Sequence, residues 1–461
     1  MNSFRDYTSS ILVAAVGALF GAMMLIASSV FTGYLEAIGM SDIPTVSAIL
    51  NVIGYVFFGL ALYVSAIVTA NTCSTIVAGR ARQIALLRLI GASSQSLRRQ
   101  MARIGLLVGG VGALIGMSLA LGLGSIAVSI LRSNGTLPQG TYSILSVTLL
   151  VPAAAVILTT WVAFHVGSRP ILNVKPLEAL SSSVEQRQED ARDGLARTVI
   201  ALLLLVAGLA VLTTGVMISE TSTYAVLITM AGGFIAFTGV TIGAALYVPP
   251  ILALLGHVGA RNPAVLLSGR NALRAPGRTS RATMGLAIGA TLLMTFTVGL
   301  ATYTGPVQSG FVFPPGAEEQ AAQILGTVST VATSLSAFSA VIAAIGVVNA
   351  LALGAVQRHR EIGLLRAIGF TGAQVRLMIV VEAAQMVTAG LLIGVVFGTL
   401  FGWAGVVSLF GSQVESPIYP VVPLPQLGLL VLGAVVLAVI ASLAPTARAT
   451  RIAPTEALAV A

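Results

Sequence analysis

The sequence predicts an all-α polytopic membrane protein with ten transmembrane helices arranged four, two and four around a parallel internal repeat. Three observations predict it. Hydrophobic residues make up 56% of the 461 and charged residues only 8%, with a mean hydropathy of +0.98, whereas soluble domains carry about 25% charged residues. Ten apolar stretches reach the ~20 residues that cross a bilayer. A unit of about 110 residues, long enough for three spans, occurs twice at an offset of 278. This composition excludes a disordered chain, a coiled coil and a secreted disulfide scaffold. The single cysteine, Cys73, excludes an internal disulfide and a cysteine-based zinc site.

In chain order, the expected spans are 9–31, 48–78, 105–131, 145–167, 198–218, 224–256, 283–303, 324–355, 378–407 and 426–446. The first is too long for the ~7–15-residue core of a cleaved signal and has no small-residue cleavage site after it, so it reads as a retained helix. Of the 24 basic residues, only Arg132 falls in a loop reached after an odd number of spans. Arginine bias therefore places both termini in the cytoplasm. It also accounts for the net charge of +9 without nucleic acid, and it favours contact with anionic membrane lipid. The polar stretch SSSVEQRQEDARDG reads as a linker. The organisation is then a first four-helix half (1–182), a linker (183–196), two connecting helices (197–256) and a second four-helix half (257–461).

The repeat is clearest where RARQIALLRLIGASSQSLR from Arg80 aligns with RHREIGLLRAIGFTGAQVR from Arg358. Nine of the 19 positions are identical, among them Arg80/Arg358, Arg82/Arg360, Leu87/Leu365, Arg88/Arg366 and Gly91/Gly369. At the same offset Asn71 pairs with Asn349, Gly112 with Gly390 and Gly116 with Gly394, and PLEAL after Lys175 pairs with PTEAL near the C-terminus. Six spans separate equivalent points. The copies are therefore parallel, related by an axis along the membrane normal. A weaker echo precedes each copy as one further span. Surface segments ordinarily diverge fastest, so a surface segment that matches best points to a shared partner.

Ile84, Leu87, Ile90 and Gly91 have the spacing of one helical face, as do Ile362, Leu365, Ile368 and Gly369, with arginines on the other face. Each segment reads as a short amphipathic helix on the cytoplasmic surface, ending at its glycine. Gln83 stands where the second copy has Glu361, which can pair with Arg358. Gly390, Gly394, Gly398 and Gly402 recur every fourth residue, as do Gly112, Gly116, Ala120 and Gly124, and such faces let helices approach closely in lipid. Glu382 is the clearest ionisable residue within a span.

The paired asparagines, R-x-R-E-I-G-L-L-R-A-I-G at Arg358–Gly369, Glu382 in VVEAA and the terminal P-x-E-A-L resemble the FtsX-like permease family, the MacB-type or type VII group of ABC transporters. Two such units in one chain are similar to BceB-like permeases, but the large extracytoplasmic domain common in relatives has no room here. The first copy departs from the family's Glu at Gln83 and Ile104. The resemblance implies that Arg80, Arg82, Gln83, Leu87, Arg88 and Gly91, and Arg358, Arg360, Glu361, Leu365, Arg366 and Gly369, belong to two coupling helices that dock onto ATP-binding subunits. It implies transmission or packing roles for Asn71, Asn349, Glu382, Gly112, Gly116, Gly390, Gly394 and Gly398.

No Walker A loop can be built around the lone lysine, Lys175 in NVKPLEA. ATP and magnesium are therefore expected on a separate ABC-type ATP-binding subunit, in two copies. His165, His257 and His359 are scattered and form no metal or catalytic constellation, so neither catalysis nor a bound metal is expected of this chain. The expected function is that of a transport subunit in the bacterial plasma membrane, exporting a hydrophobic or amphipathic compound such as a lipid, an antimicrobial peptide or a drug. The alternatives are an ATPase-driven sensor or signalling subunit and an ion-coupled secondary carrier. Short outer loops weigh against the first, and the lack of acids near mid-membrane weighs against the second.

Overall fold

The computed structural model describes residues 7–37, 81–133, 149–173, 191–258, 276–307 and 369–436 almost throughout, and 59–77 and 267–273 in part. The described residues are helical, with no strand among them. Six of the described helices are long and apolar enough to cross a membrane, and the shorter apolar stretches Ser10–Met23 and Leu424–Val436 fall on the expected first and tenth spans. The expected eighth span lies outside the described residues. The chain divides into two compact units, Met1–Ser183 and Val184–Ala461.

In the first unit, α1 (Thr8–Ala37) is followed by helical residues of the second span, the short α2 (Ala81–Leu89), the long α3 (Ser94–Ser133) and α4 (Leu150–Gly167). At ~1.5 Å per residue α3 is about 60 Å long, twice the hydrocarbon thickness, so it runs well beyond the bilayer. Lipid gives apolar helices no hydrophobic reason to associate, so close packing must do it. Gly112 and Gly116 of α3 lie against Ala14, Ala15, Ala18 and Leu19 of α1, with no room for a methyl group. Gly105 and Gly109 lie against Phe164, Ile157 and Thr160 of α4. Gly17 faces Ser65, and Gly167 faces Ala70 and Cys73, which seats the second span between α1 and α4.

In the second unit, α5 (Ala191–Ile218) and α6 (Ala225–Val258) form an antiparallel pair, followed by α7 (Pro276–Thr302) and α8 (Gly372–Phe410). Helix α5 reaches back into the segment read as linker. The α5–α6 pair closes along Gly208 on Ala236, Gly232 on Leu212, Gly215 on Thr229 and Gly239 on Leu205. Phe237 of α6 stacks edge-on against Phe397 and Phe401 of α8, and the Ser280 hydroxyl of α7 donates to the Ala244 carbonyl. The connecting pair thus belongs to the second unit's core.

Helix α8 packs on α7 as α3 packs on α1. Gly390 meets Leu286, Gly394 meets Ala290, Gly398 meets Met294 and Gly402 meets Thr295. Ala18 stands to Gly116 as Ala290 stands to Gly394, so the leading helix of each half docks in the same register. Beyond α8 the chain folds back. Trp403 Nε1 donates to the Ile418 carbonyl at 2.7 Å, and the Val421 amide donates to Thr302 Oγ1 at 3.1 Å.

Candidate functional site

Helix α2 is short because Gly91 ends it. Gly91 and Gly369 have φ of +102° and +105°, and among the described residues they are the only ones in the left-handed region. The Gly91 amide donates to the Arg88 carbonyl at 3.1 Å, and the Ala92 amide donates to the Leu87 carbonyl at 2.9 Å. This pair of bonds is a Schellman cap, and a residue with a Cβ would be strained at its left-handed position. Leu87 and Ala92, which the cap brings together, pack on one apolar cluster.

The next helix starts within two residues. The Ser96 amide donates to Ser93 Oγ at 3.1 Å, which caps α3. In the second copy Thr371 caps α8: the Gln374 amide donates to Thr371 Oγ1, and the Thr371 amide donates to Gln374 Oε1 at 2.9 Å. Ser93 and Thr371 share the repeat offset, as do Ser96 and Gln374. These capping residues are missing from the sequence-based site, although T-x-x-Q after a glycine is a capping-box signal.

Helix α2 is held from beneath. Ile84 and Ala85 are buried, Leu87 and Arg88 are half-buried, and Ile84 belongs to one apolar cluster with Tyr7 just before α1, Cys73 and Val77 of the second span, Leu97 and Met101 of α3, and Phe164 of α4. Through Ile84 the nine-residue helix shares one apolar cluster with residues from the ends of the other segments of its unit. Burial of an isoleucine such as Ile84 contributes about 1.5–3 kcal/mol. Its free side carries Gln83, Leu86, Leu89 and Ile90. The i, i+3 spacing groups Ile90 with Ile84 and Leu87, but it is 82% exposed. Its amide still donates to the Leu86 carbonyl at 3.2 Å, so it stands on the last helical turn, where steps of about 100° per residue set it roughly 120° round from Ile84 and off the buried side.

Of the other expected site residues, Arg82 lies in the first turn of α2. Arg80, Asn71, Asn349, Arg358, Arg360, Glu361, Leu365 and Arg366 lie outside the described residues. Gly112, Gly116, Gly390, Gly394 and Gly398 all lie in helix–helix contacts. Glu382 is 3% exposed, one turn before the equally buried Gln385, whose Oε1 accepts from Ser268 Oγ at 3.2 Å. Ile104 and Leu107 occupy the corresponding positions of α3.

The family model described as FtsX-like permease C-terminal matches residues 55–171 and again 333–454, more than half of the chain. The chain belongs to the FtsX-like permease family. The first family segment holds α2, its glycine cap, α3 and α4, and the second holds Gly369 and α8. The macrolide export ATP-binding/permease protein MacB of Nitrobacter winogradskyi is 34% identical over 127 residues, which is 28% of this chain. The match spans 19% of that relative's length. A permease family and six helices of spanning length make this a multi-pass membrane protein.

Proposed function

We propose that this FtsX-like permease is the membrane subunit of an ABC transporter in a bacterial plasma membrane, driven by a separate ATP-binding subunit. The observation that carries the proposal is α2: a capped helix with an apolar free edge, tied through Ile84 into an apolar cluster with α3, α4 and the second span, in a segment the sequence repeats. Leu86, Leu89 and Ile90 would enter a groove of the ATPase, and the surrounding arginines would meet its acidic rim. Helix α2 and its copy at Arg358–Gly369 supply two docking sites, hence two ATPase copies per chain. The ATP and magnesium belong to that partner. Closure of the ATPases would press on α2, and the shared core would pass the push to α1, the second span, α3 and α4.

The nearly uncharged spans support a hydrophobic or amphipathic cargo: a lipid, an antimicrobial peptide or a drug-like compound. The MacB relative is named for export, and the same direction is proposed here. The test is purification from the native host in mild detergent, with copurifying proteins identified by mass spectrometry. A Walker-type ATPase at about two per permease is expected for the wild type, and its loss is expected when Ile90→Asp is combined with charge reversal at Arg360, Glu361 and Arg366. If no ATPase accompanies a wild-type complex that is otherwise intact, the reading fails.

A further inference from the structure

One end of the α3–α4 contact is basic in a way that the docking role of α2 does not use. Arg98 Nη2 donates to the carbonyl of His165 at 3.2 Å and lies 3.2 Å from His165 Nε2. A guanidinium can only donate, so a hydrogen bond here makes Nε2 the acceptor and puts the imidazole hydrogen on Nδ1. Arg98 Nε is buried and has no hydrogen-bond partner among the described residues. Trp161 stacks on His165 one turn further into the membrane, and Arg169 follows one turn beyond His165. Trp161, His165, Arg169, Arg99 and Arg103 are all exposed. Among the described residues of this unit only Glu36 is acidic, at the opposite end of α1.

The internal repeat supplies the control. General topogenic bias acts on both halves alike. At the corresponding positions the second half keeps Arg376 but has Leu377, Val381, Val439, Leu443 and Ala447 in place of Arg99, Arg103, Trp161, His165 and Arg169. At matched positions the second half thus keeps one of the six groups, although Arg448 stands one residue after the counterpart of Arg169. A basic cluster where two helices meet, with an indole one turn further along, fits a phosphodiester at the membrane surface.

We propose that the basic end of the α3–α4 contact in the first unit binds an anionic phospholipid. Arg98, His165 and Arg169 hold its phosphate, and Trp161 lies beside the glycerol and upper acyl region.

The chain has two tryptophans, so Trp403→Phe leaves Trp161 as the reporter. The full chain is placed in phosphatidylcholine nanodiscs with a low fraction of phosphatidylglycerol brominated near the headgroup, or of phosphatidylcholine brominated in the same way. Brominated phosphatidylglycerol is expected to quench Trp161 well beyond its mole fraction, with roughly fivefold of that enrichment lost for each arginine neutralised in R98Q or R169Q. R376Q, with the same change in net charge, should leave it unaltered. Arg98 also bridges two helices, so the exposed Arg169 carries the test if R98Q does not fold. Equal quenching by the two headgroups overturns the proposal, as does an enrichment indifferent to R169Q. Loss of the preference on adding inorganic phosphate at constant ionic strength also overturns it, because the site would then belong to a free anion.

Discussion

Gly91 fixes the direction in which the chain leaves α2, and Gly369, its counterpart in the repeat, has a similar φ near +100°. Among the described residues, chain neighbours aside, no atom lies within 4 Å of where a Cβ would be added at either position. Substitution therefore meets backbone strain and nothing else. Gly91→Ala should cost about 1–2 kcal/mol, read as a lower Tm of the detergent-solubilised chain. If the cap also aims Ile90 at the ATPase, ATPase stimulation should fall at temperatures where the variant is still folded. Gln385 presents the opposite case. It is buried, its Oε1 accepts from Ser268, and its Nε2 has no partner among the described residues. Gln385→Leu loses one hydrogen bond worth ~1 kcal/mol but also removes an unpaired buried donor of similar cost. Its Tm should stay within a few degrees of wild type, and a collapse would mean that Nε2 has a partner in the membrane.

The helix pairs turn on which glycine faces what. Gly116 has α1 backbone where a Cβ would be added, whereas Gly122, six residues on in the same helix, has nothing from the described residues within 4 Å beyond its own helix backbone. Gly116→Val should lower stability by about 3 kcal/mol or more through forced separation of α1 and α3. Gly122→Ala should be neutral or raise it by up to ~1 kcal/mol through helix propensity. Thermal unfolding of both variants checks the pair, and equal effects would show that α1 does not depend on this contact. The four-residue glycine period was legible in the sequence because it is a local pattern, and so was the glycine that ends α2. The partner was not legible. A small-residue face says that something comes close, but only the fold shows that α3 meets α1 and α8 meets α7. The exposure of Ile90 escaped for a related reason: two successive i+3 steps drift about 120° round a helix, so a residue that spacing groups with Ile84 stands off the side the core covers. Glu382 showed only as a charge in an apolar run, and Gln385, a neutral amide one turn on, gave no such signal although it is nearly as buried.

Across the whole molecule the halves share their turns and differ in their polar groups. Each has a left-handed glycine, a Ser or Thr cap two residues later and a leading helix docked in the same register. Yet Gln83 faces Glu361, Ile104 faces Glu382 and Leu107 faces Gln385 across the repeat. Duplication fixed the backbone device, and later change fell on the charges around it. If each short helix holds one ATPase, the two sites should differ in strength, because Gln83 is exposed and neutral where its counterpart carries a charge. One carboxylate at a partly solvated interface is worth about 0.2–1 kcal/mol, a small but measurable difference in dissociation rate. Native mass spectrometry of the complex should show two ATPases per chain in the wild type. In Ile90→Asp one should remain, held by the second half. In Ile368→Asp one should remain as well, held by the first half and leaving faster on dilution. Glu361→Gln should bring the second site toward the first, and Gln83→Glu should do the reverse. Identical dissociation from the two single-site variants would mean that the halves dock alike, leaving the charge difference to be explained by the membrane rather than by the ATPase.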